Sequence, residues 1–257
     1  MVLIEDMTST QIETALPALF SQYAYNGYYT SKSYQPKFIR DFEQIILGEI
    51  LALSSNFHSP VILDVGCGTG CLLELVRTNL DGCVLIGVDL SQGMIEKAKQ
   101  TTSPQITYFV GDAHTLLFED NSIDIVVCQK TSPFLDLEIA LREFGKLTRS
   151  DGYLILTTLM DTYQKDDLVL PAMFDCLVRP FFEFFTGEAS LRDILQTFSV
   201  MRANLKFQRE IDKFLNEPIS NESLKELLES AQYQLVKMED GHYCNTRVLT
   251  IAQKGGD

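Results

Sequence analysis

Between residues 61 and 158 the chain alternates short apolar runs with helix-spaced leucines. The runs VILDV at 61–65, VLIGVD at 84–89, ITYFV at 106–110, IDIVVCQ at 123–129 and YLILTT at 153–158 are too short for helices and predict strands. Leu72, Leu73, Leu75, Val76 and Leu80 follow the first run at helical spacing. Leu137, Ala140, Leu141, Phe144 and Leu147 do so before the fifth, and Asp151-Gly152 between them predicts a turn. Strand, helix and strand in alternation predict an α/β sheet of crossover units. Leu224, Leu227, Leu228 and Ala231 then mark a helix capped by Ser220 or Asn221, and QLVKMED and TRVLTIAQ read as two closing strands joined by GHYCN. Upstream, Phe38, Phe42, Ile45, Ile46, Glu49, Ile50 and Leu53 share a largely apolar helical face, preceded by the tyrosine-rich YAYNGYY. Met160 to Pro218 exceed what a bare sheet needs. They read as helices, with Leu191, Ile194, Leu195 and Phe198 on one face and a cluster of Phe181, Phe182, Phe184 and Phe185. A segment placed after the fifth strand rises above the strand ends, where such sheets bind ligands, so it reads as a lid; a dimer interface or packing on the core is the alternative.

The join between the first strand and the first helix carries the chemistry. Gly66, Gly68 and Gly70 allow a tight turn and close backbone approach to a ligand, which the loop delivers to a helix N-terminus. A dinucleotide fingerprint needs a third glycine or alanine where Cys71 stands, and no Gly-Lys-Ser/Thr is present to cradle phosphates. Asp64 sits at the strand end instead. A carboxylate there repels a pyrophosphate and suits a cationic amino group, such as that of S-adenosylmethionine, a sulfonium without phosphate.

With this loop, the acid ending VLIGVD, the GDAHTL segment after ITYFV and the strand IDIVVCQ in register, the chain resembles a class I S-adenosylmethionine-dependent methyltransferase of small-molecule type from about Pro60 to Lys254. The resemblance implies a seven-stranded, mostly parallel sheet with helices on both faces, the last two strands forming an antiparallel pair. It implies an N-terminal helical cap over 1–58, the cofactor-binding half over 59–160, the helical lid over 161–218 and the end of the core over 219–257. In such a fold Asp89 binds the ribose hydroxyls, Asp112 the adenine amino group, and Ala113 packs or donates its amide nearby. The cofactor set becomes Asp64, Gly66, Cys67, Gly68, Gly70, Asp89, Leu90, Met94, Asp112, Ala113, Gln129 and Tyr28, and the acceptor pocket Lys130, Phe134, Phe181, Phe182, Phe185 and Tyr243. The product is S-adenosylhomocysteine.

Methyl transfer from a sulfonium relies on alignment and desolvation, with a base only if the acceptor must lose a proton. His242, in the loop after a strand that ends on the ligand side, is the catalytic candidate; His58 lies at the opposite sheet edge, and His114 reads as a loop-packing residue. Tyr28, Tyr29 and Tyr243 are further base candidates. Gln129, Lys130, Thr131 and Ser132 stand where enzymes that methylate amide or base nitrogens carry Asn-Pro-Pro-Tyr, which counts against nucleobase and glutamine side-chain acceptors. No metal site is expected.

The 257 residues, 46% of them hydrophobic, can bury one full core with elaborations. With 21 basic against 35 acidic residues the net charge is -14, which disfavours nucleic-acid phosphate as partner. Cysteines 67, 71, 83, 128, 176 and 244 lack Cys-x-x-Cys spacing and read as reduced thiols. MVLIEDMTST lacks the basic and apolar parts of a secretory signal, and no apolar run spans a membrane. A cytoplasmic monomer or homodimer acting on an oxygen or nitrogen of a partly hydrophobic small molecule, with a natural product as one candidate, is the expectation. A non-catalytic interaction protein on the same fold would be expected to have lost Asp64, Asp89 or Asp112; an NAD-binding oxidoreductase is opposed by Cys71.

Overall fold

The computed structural model describes residues 15–21, 37–160, 214–242 and 247–256. Seven strands, β1 (Val61–Val65), β2 (Val84–Asp89), β3 (Thr107–Val110), β4 (Ile123–Cys128), β5 (Thr148–Leu159), β6 (Tyr233–Gly241) and β7 (Arg247–Lys254), form one sheet in the order β3-β2-β1-β4-β5-β7-β6. The pairings among β1 to β5 are parallel, and β7 runs antiparallel to both β5 and β6. The order reverses between β1 and β4, and at such a switch point the strand ends part to leave a crevice.

The helices are α1 (15–21), α2 (Lys37–Ser54), α3 (Cys71–Asn79), α4 (Gln92–Thr101), α5 (Leu137–Leu147) and α6 (Asn221–Ser230). Both sheet faces are covered, which is why β4 is apolar at almost every position and buried at all of them. Leu63, Val126 and Leu154 pack on one face with Phe144 of α5 and Leu228 of α6. Ile62, Ile125 and Ile155 pack on the other with Phe42 and Ile46 of α2 and Leu73 of α3. The expected seven-stranded, mostly parallel architecture is therefore present. At the amino ends of the central strands, buried Asp124 accepts from the Val61 amide at 2.8 Å and from Arg149 at 2.6 Å, tying β1, β4 and β5 together.

Two local expectations are corrected. Asp151-Gly152 is not a turn before β5 but lies inside it: Asp151 takes a left-handed φ of 65°, and the register with β4 shifts between Ile123 and Ile125, so the extra residues are absorbed as an irregularity in the strand. On α2 the buried face is Phe42, Glu43, Ile46, Leu47 and Ile50, while Ile45 is 38% exposed. The physical reason is lateral: Glu49 meets Lys237 of edge strand β6 at 2.7 Å, so that flank of the helix overlooks the open side of the sheet, and the Glu43 flank turns toward the segment after β4. Cys67, Cys71, Cys83 and Cys128 are in no disulfide, and positions 176 and 244 lie outside the described residues. No described helix is long and apolar enough to cross a membrane.

Candidate functional site

The glycine loop hangs from the end of β2. The amides of Gly66 and Cys67 both donate to the Val88 carbonyl, at 2.7 and 3.0 Å, and the Gly68 amide donates to Asp89 Oδ2 at 2.9 Å. The three glycines serve different ends. A Cβ at Gly66 would run into the Thr131 side chain and one at Gly70 into the Tyr108 hydroxyl, so these two permit close packing of the protein on itself. Of the three only Gly68, with φ 54°, faces open space, so it alone leaves room for close approach by a ligand.

Asp89 is held from two sides, since its Oδ1 accepts from the Ser91 amide at 2.9 Å. Each carboxylate oxygen retains one further acceptor site. Burial raises its pKa and the two backbone donors pull it back. Ser91 also caps α4 by accepting from the Met94 amide at 3.2 Å, and its hydroxyl lies 2.8 Å from that of Ser21 at the end of α1. Phe20 beside it meets Phe134 edge-on, with ring centroids 5.6 Å apart. Helix α1 thus bridges from the start of α4 to the short 3-10 turn Ser132–Phe134 after β4, across the end of the sheet where the crevice opens.

Asp64, 1% exposed at the end of β1, has an Oδ1 atom with no hydrogen-bond partner. Its pKa is raised to about 7: burial is the main cause, Lys130 opposes it, and the charges of Asp89 and Glu43 add to it. Gln129, just past β4 and 7% exposed, likewise has an Oε1 atom without a partner. Two orphaned polar atoms at the ends of the two strands flanking the switch point are what a polar ligand in the crevice would satisfy. Lys130 follows with a left-handed φ of 60°, its amide donating to Thr157 Oγ1 at 2.9 Å and its ammonium lying 3.4 Å from Glu43.

Of the remaining predicted residues, Leu90 is 41% exposed between Asp89 and Ser91, while Met94 and Ala113 are buried. The Cys67 thiol sits beside Gly87, so its side chain packs inward and only its backbone belongs to the loop. Asp112 accepts through Oδ1 from the amide of His114, at 2.9 Å, and pairs with its Nδ1 at 2.6 Å. His114 Nε2 in turn accepts from the Asp136 amide at 3.0 Å, so this histidine is a strut between the loop after β3 and the start of α5. His242 does end β6 on the same side as the loop. It is engaged by Glu239 at 3.2 Å and lies near the Phe42 ring, on the edge strand four positions from β1, roughly 19 Å at ordinary strand spacing. Tyr28, Tyr29, Phe181, Phe182, Phe184, Phe185 and Tyr243 lie outside the described residues. Sequence reading missed Glu43 and Ser21; the available signal for Glu43 was its place beside Phe42 in the helical series 43, 47 and 50.

Residues 63–156 match a family described as a methyltransferase domain. The sheet and its helices have the class I methyltransferase fold. Among curated relatives of this chain, a malonyl-[acyl-carrier protein] O-methyltransferase of Hamiltonella defensa is 32% identical over 111 residues, 43% of this chain and 42% of that protein. An uncharacterised methyltransferase of Bacillus subtilis is 30% identical over 167 residues, 63% of this chain and 62% of the other. The chain thus spans less than half the length of the first of these relatives and under two thirds of the second. In fold it is similar to the magnesium protoporphyrin IX methyltransferase of Synechocystis solved with bound S-adenosylhomocysteine, with a TM-score of 0.60 at 14% identity over 95% of this chain and 100% of that one.

Proposed function

We propose that this chain is a methyltransferase that binds S-adenosylmethionine in the crevice between the ends of β1 and β4 and transfers its methyl group to an oxygen or nitrogen of a partly hydrophobic small molecule, leaving S-adenosylhomocysteine. The observation that carries the reading is the pairing of Asp89, held by the glycine loop with an acceptor site open on each oxygen, with Asp64, buried and short of a partner on the neighbouring strand. The first suits a vicinal diol, the second an ammonium.

The bound cofactor supplies a methyl carbon on a sulfonium, an activated leaving group. Alignment falls to the chain: Asp89 accepts the ribose hydroxyls, Asp64 takes the amino group, Gly68 lets the backbone approach, and Leu90, Met94, Asp112 and Ala113 frame the adenine side. Gln129 joins the cofactor contacts from the end of β4, Lys130 and Phe134 stand on the acceptor side, and Gly66, Cys67 and Gly70 shape the loop. Tyr28 joins the cofactor set and Phe181, Phe182, Phe185 and Tyr243 the acceptor pocket in this reading. Where the acceptor must lose a proton, His242 is the base candidate, oriented by Glu239.

Support for a lid over the acceptor comes from its anchors. The chain leaves the described core at Met160, just past β5, and returns where Asn216 donates from its amide to the Pro133 carbonyl at 2.7 Å and from its side chain to the Leu135 carbonyl at 2.7 Å. Both anchors border the crevice. The O-methyltransferase relatives favour an oxygen acceptor, and the net charge of -14 favours an acceptor other than nucleic acid. Calorimetric titration with S-adenosylmethionine and S-adenosylhomocysteine, followed by methyl transfer from labelled cofactor to a panel of carboxylic acids, phenols and amines, tests the reading. Micromolar cofactor affinity and a labelled oxygen or nitrogen product are expected; labelled nucleic acid, or no labelled small molecule, would overturn the acceptor class.

A further inference from the structure

At the carboxyl ends of β1 and β4 one ammonium stands among carboxylates from three elements. Asp64 pairs in the sheet with Val127, and Lys130 follows three residues later. Glu43 enters from α2, 8% exposed, with Oε1 3.4 Å from the Lys130 ammonium. Lys130 is fixed at both ends, its amide held by Thr157 Oγ1 at 2.9 Å and its side chain by Glu43. Asp89 completes the set from the end of β2.

We propose that Lys130, steadied by Glu43, is a positioning residue that keeps Asp64 ionised in the empty site, so that cofactor binding is proton-coupled through this cluster. The inference rests on the reading that the crevice takes S-adenosylmethionine. A carboxylate buried to this degree, with one oxygen lacking a partner, is driven to protonate, and a protonated Asp64 cannot neutralise an ammonium. Lys130 is the cation that opposes this protonation, and Asp89 and Glu43 both promote it. Among the described residues, the other titratable groups on which Asp64 acts, the Cys67, Cys128 and Tyr108 side chains, are themselves pushed up by burial and stay neutral near pH 7. Asp64, Glu43 and Asp89 with one lysine leave two net negative charges, one of which the amino group of the methionine half would offset.

With Asp64 titrating near pH 7, affinity should fall about tenfold per pH unit below that point and level off above it. The test is the dissociation constant of S-adenosylmethionine by calorimetry from about pH 5.5 to 9, for wild type, Lys130→Met, Lys130→Arg and the double variant Glu43→Gln/Lys130→Met. The double variant leaves no unpaired Glu43, so it guards against misfolding. In Lys130→Met the midpoint should move up, with affinity reduced about tenfold or more at pH 7 and recovered toward pH 9. The double variant should move the same way by less, and Lys130→Arg should keep the wild-type midpoint. A uniform loss of affinity with an unmoved midpoint in both methionine variants would overturn this inference alone. Absence of binding by wild type at every pH would overturn the cofactor reading and this inference with it.

Discussion

The proposed role of Asp64 calls for an anion where burial opposes it. Its folded pKa of about 7 exceeds the ordinary 3.8, so the group stabilises the ligand-free fold relative to its charged form at low pH, and that contribution is lost as pH rises through 7. Folding of the empty protein is therefore expected to weaken between pH 5 and pH 8, by on the order of a few kcal/mol from this group. Asp64→Asn should flatten the slope and raise the melting temperature at pH 8 while weakening cofactor binding; thermal unfolding at the two pH values reads both signs, and an unchanged slope would reject the assignment. Asp89→Ala removes the acceptor for the Gly68 and Ser91 amides together with the two ribose-hydroxyl contacts proposed for it, and should weaken S-adenosylmethionine binding by about 2 to 3 kcal/mol, or tens to hundreds of fold, in calorimetry. Both acids were legible in the sequence because each ends an apolar run. Glu43 was not, since its meaning depends on Lys130, 87 residues away, and no local pattern encodes that pairing.

Among the elements, strand positions were legible because a sheet covered on both faces needs apolar side chains on both faces of its strands, and β1, β2 and β4 begin where the sequence places them. Asp151-Gly152 misled because its turn chemistry serves an irregularity inside β5, which the β4 ladder spans by pairing Thr148 before it and Tyr153 after it. The face of α2 was placed one flank off for a related reason: helical periodicity gives a stripe, but the Lys237–Glu49 and Lys130–Glu43 contacts decide which edge of the stripe is wet. Helix α4 offers a sharp test at this scale. Ser91 caps it and anchors Ser21, so Ser91→Ala should cost about 1 kcal/mol of stability in chemical denaturation. No loss would mean that the cap and the α1 contact contribute nothing.

For the whole molecule, the order β3-β2-β1-β4-β5-β7-β6 brings together chemistry that is scattered along the chain: Asp64, Asp89, Gln129 and the anchors of the segment after β5 all meet at one edge. The crossover logic of the sequence predicted that edge; the bridge of α1 from Ser91 to Phe134 was invisible because only tertiary packing creates it. The lid reading predicts that at least one of Phe181→Ala, Phe182→Ala, Phe184→Ala and Phe185→Ala slows methyl transfer about tenfold, near the 1.4 kcal/mol of lost apolar burial, with cofactor affinity unchanged. Normal transfer by all four with loss of dimer mass in solution would make the cluster an interface. The central claim, that the Gly66–Gly70 loop receives S-adenosylmethionine, is tested most directly by calorimetric titration of wild type against Gly68→Val, with circular dichroism confirming that both are folded. Position 68 faces open space at a left-handed φ, so a valine there fills the ligand's side of the loop. Saturable binding by wild type and none by the folded variant is the predicted result; equal affinity in the two proteins would place the cofactor elsewhere and contradict the account.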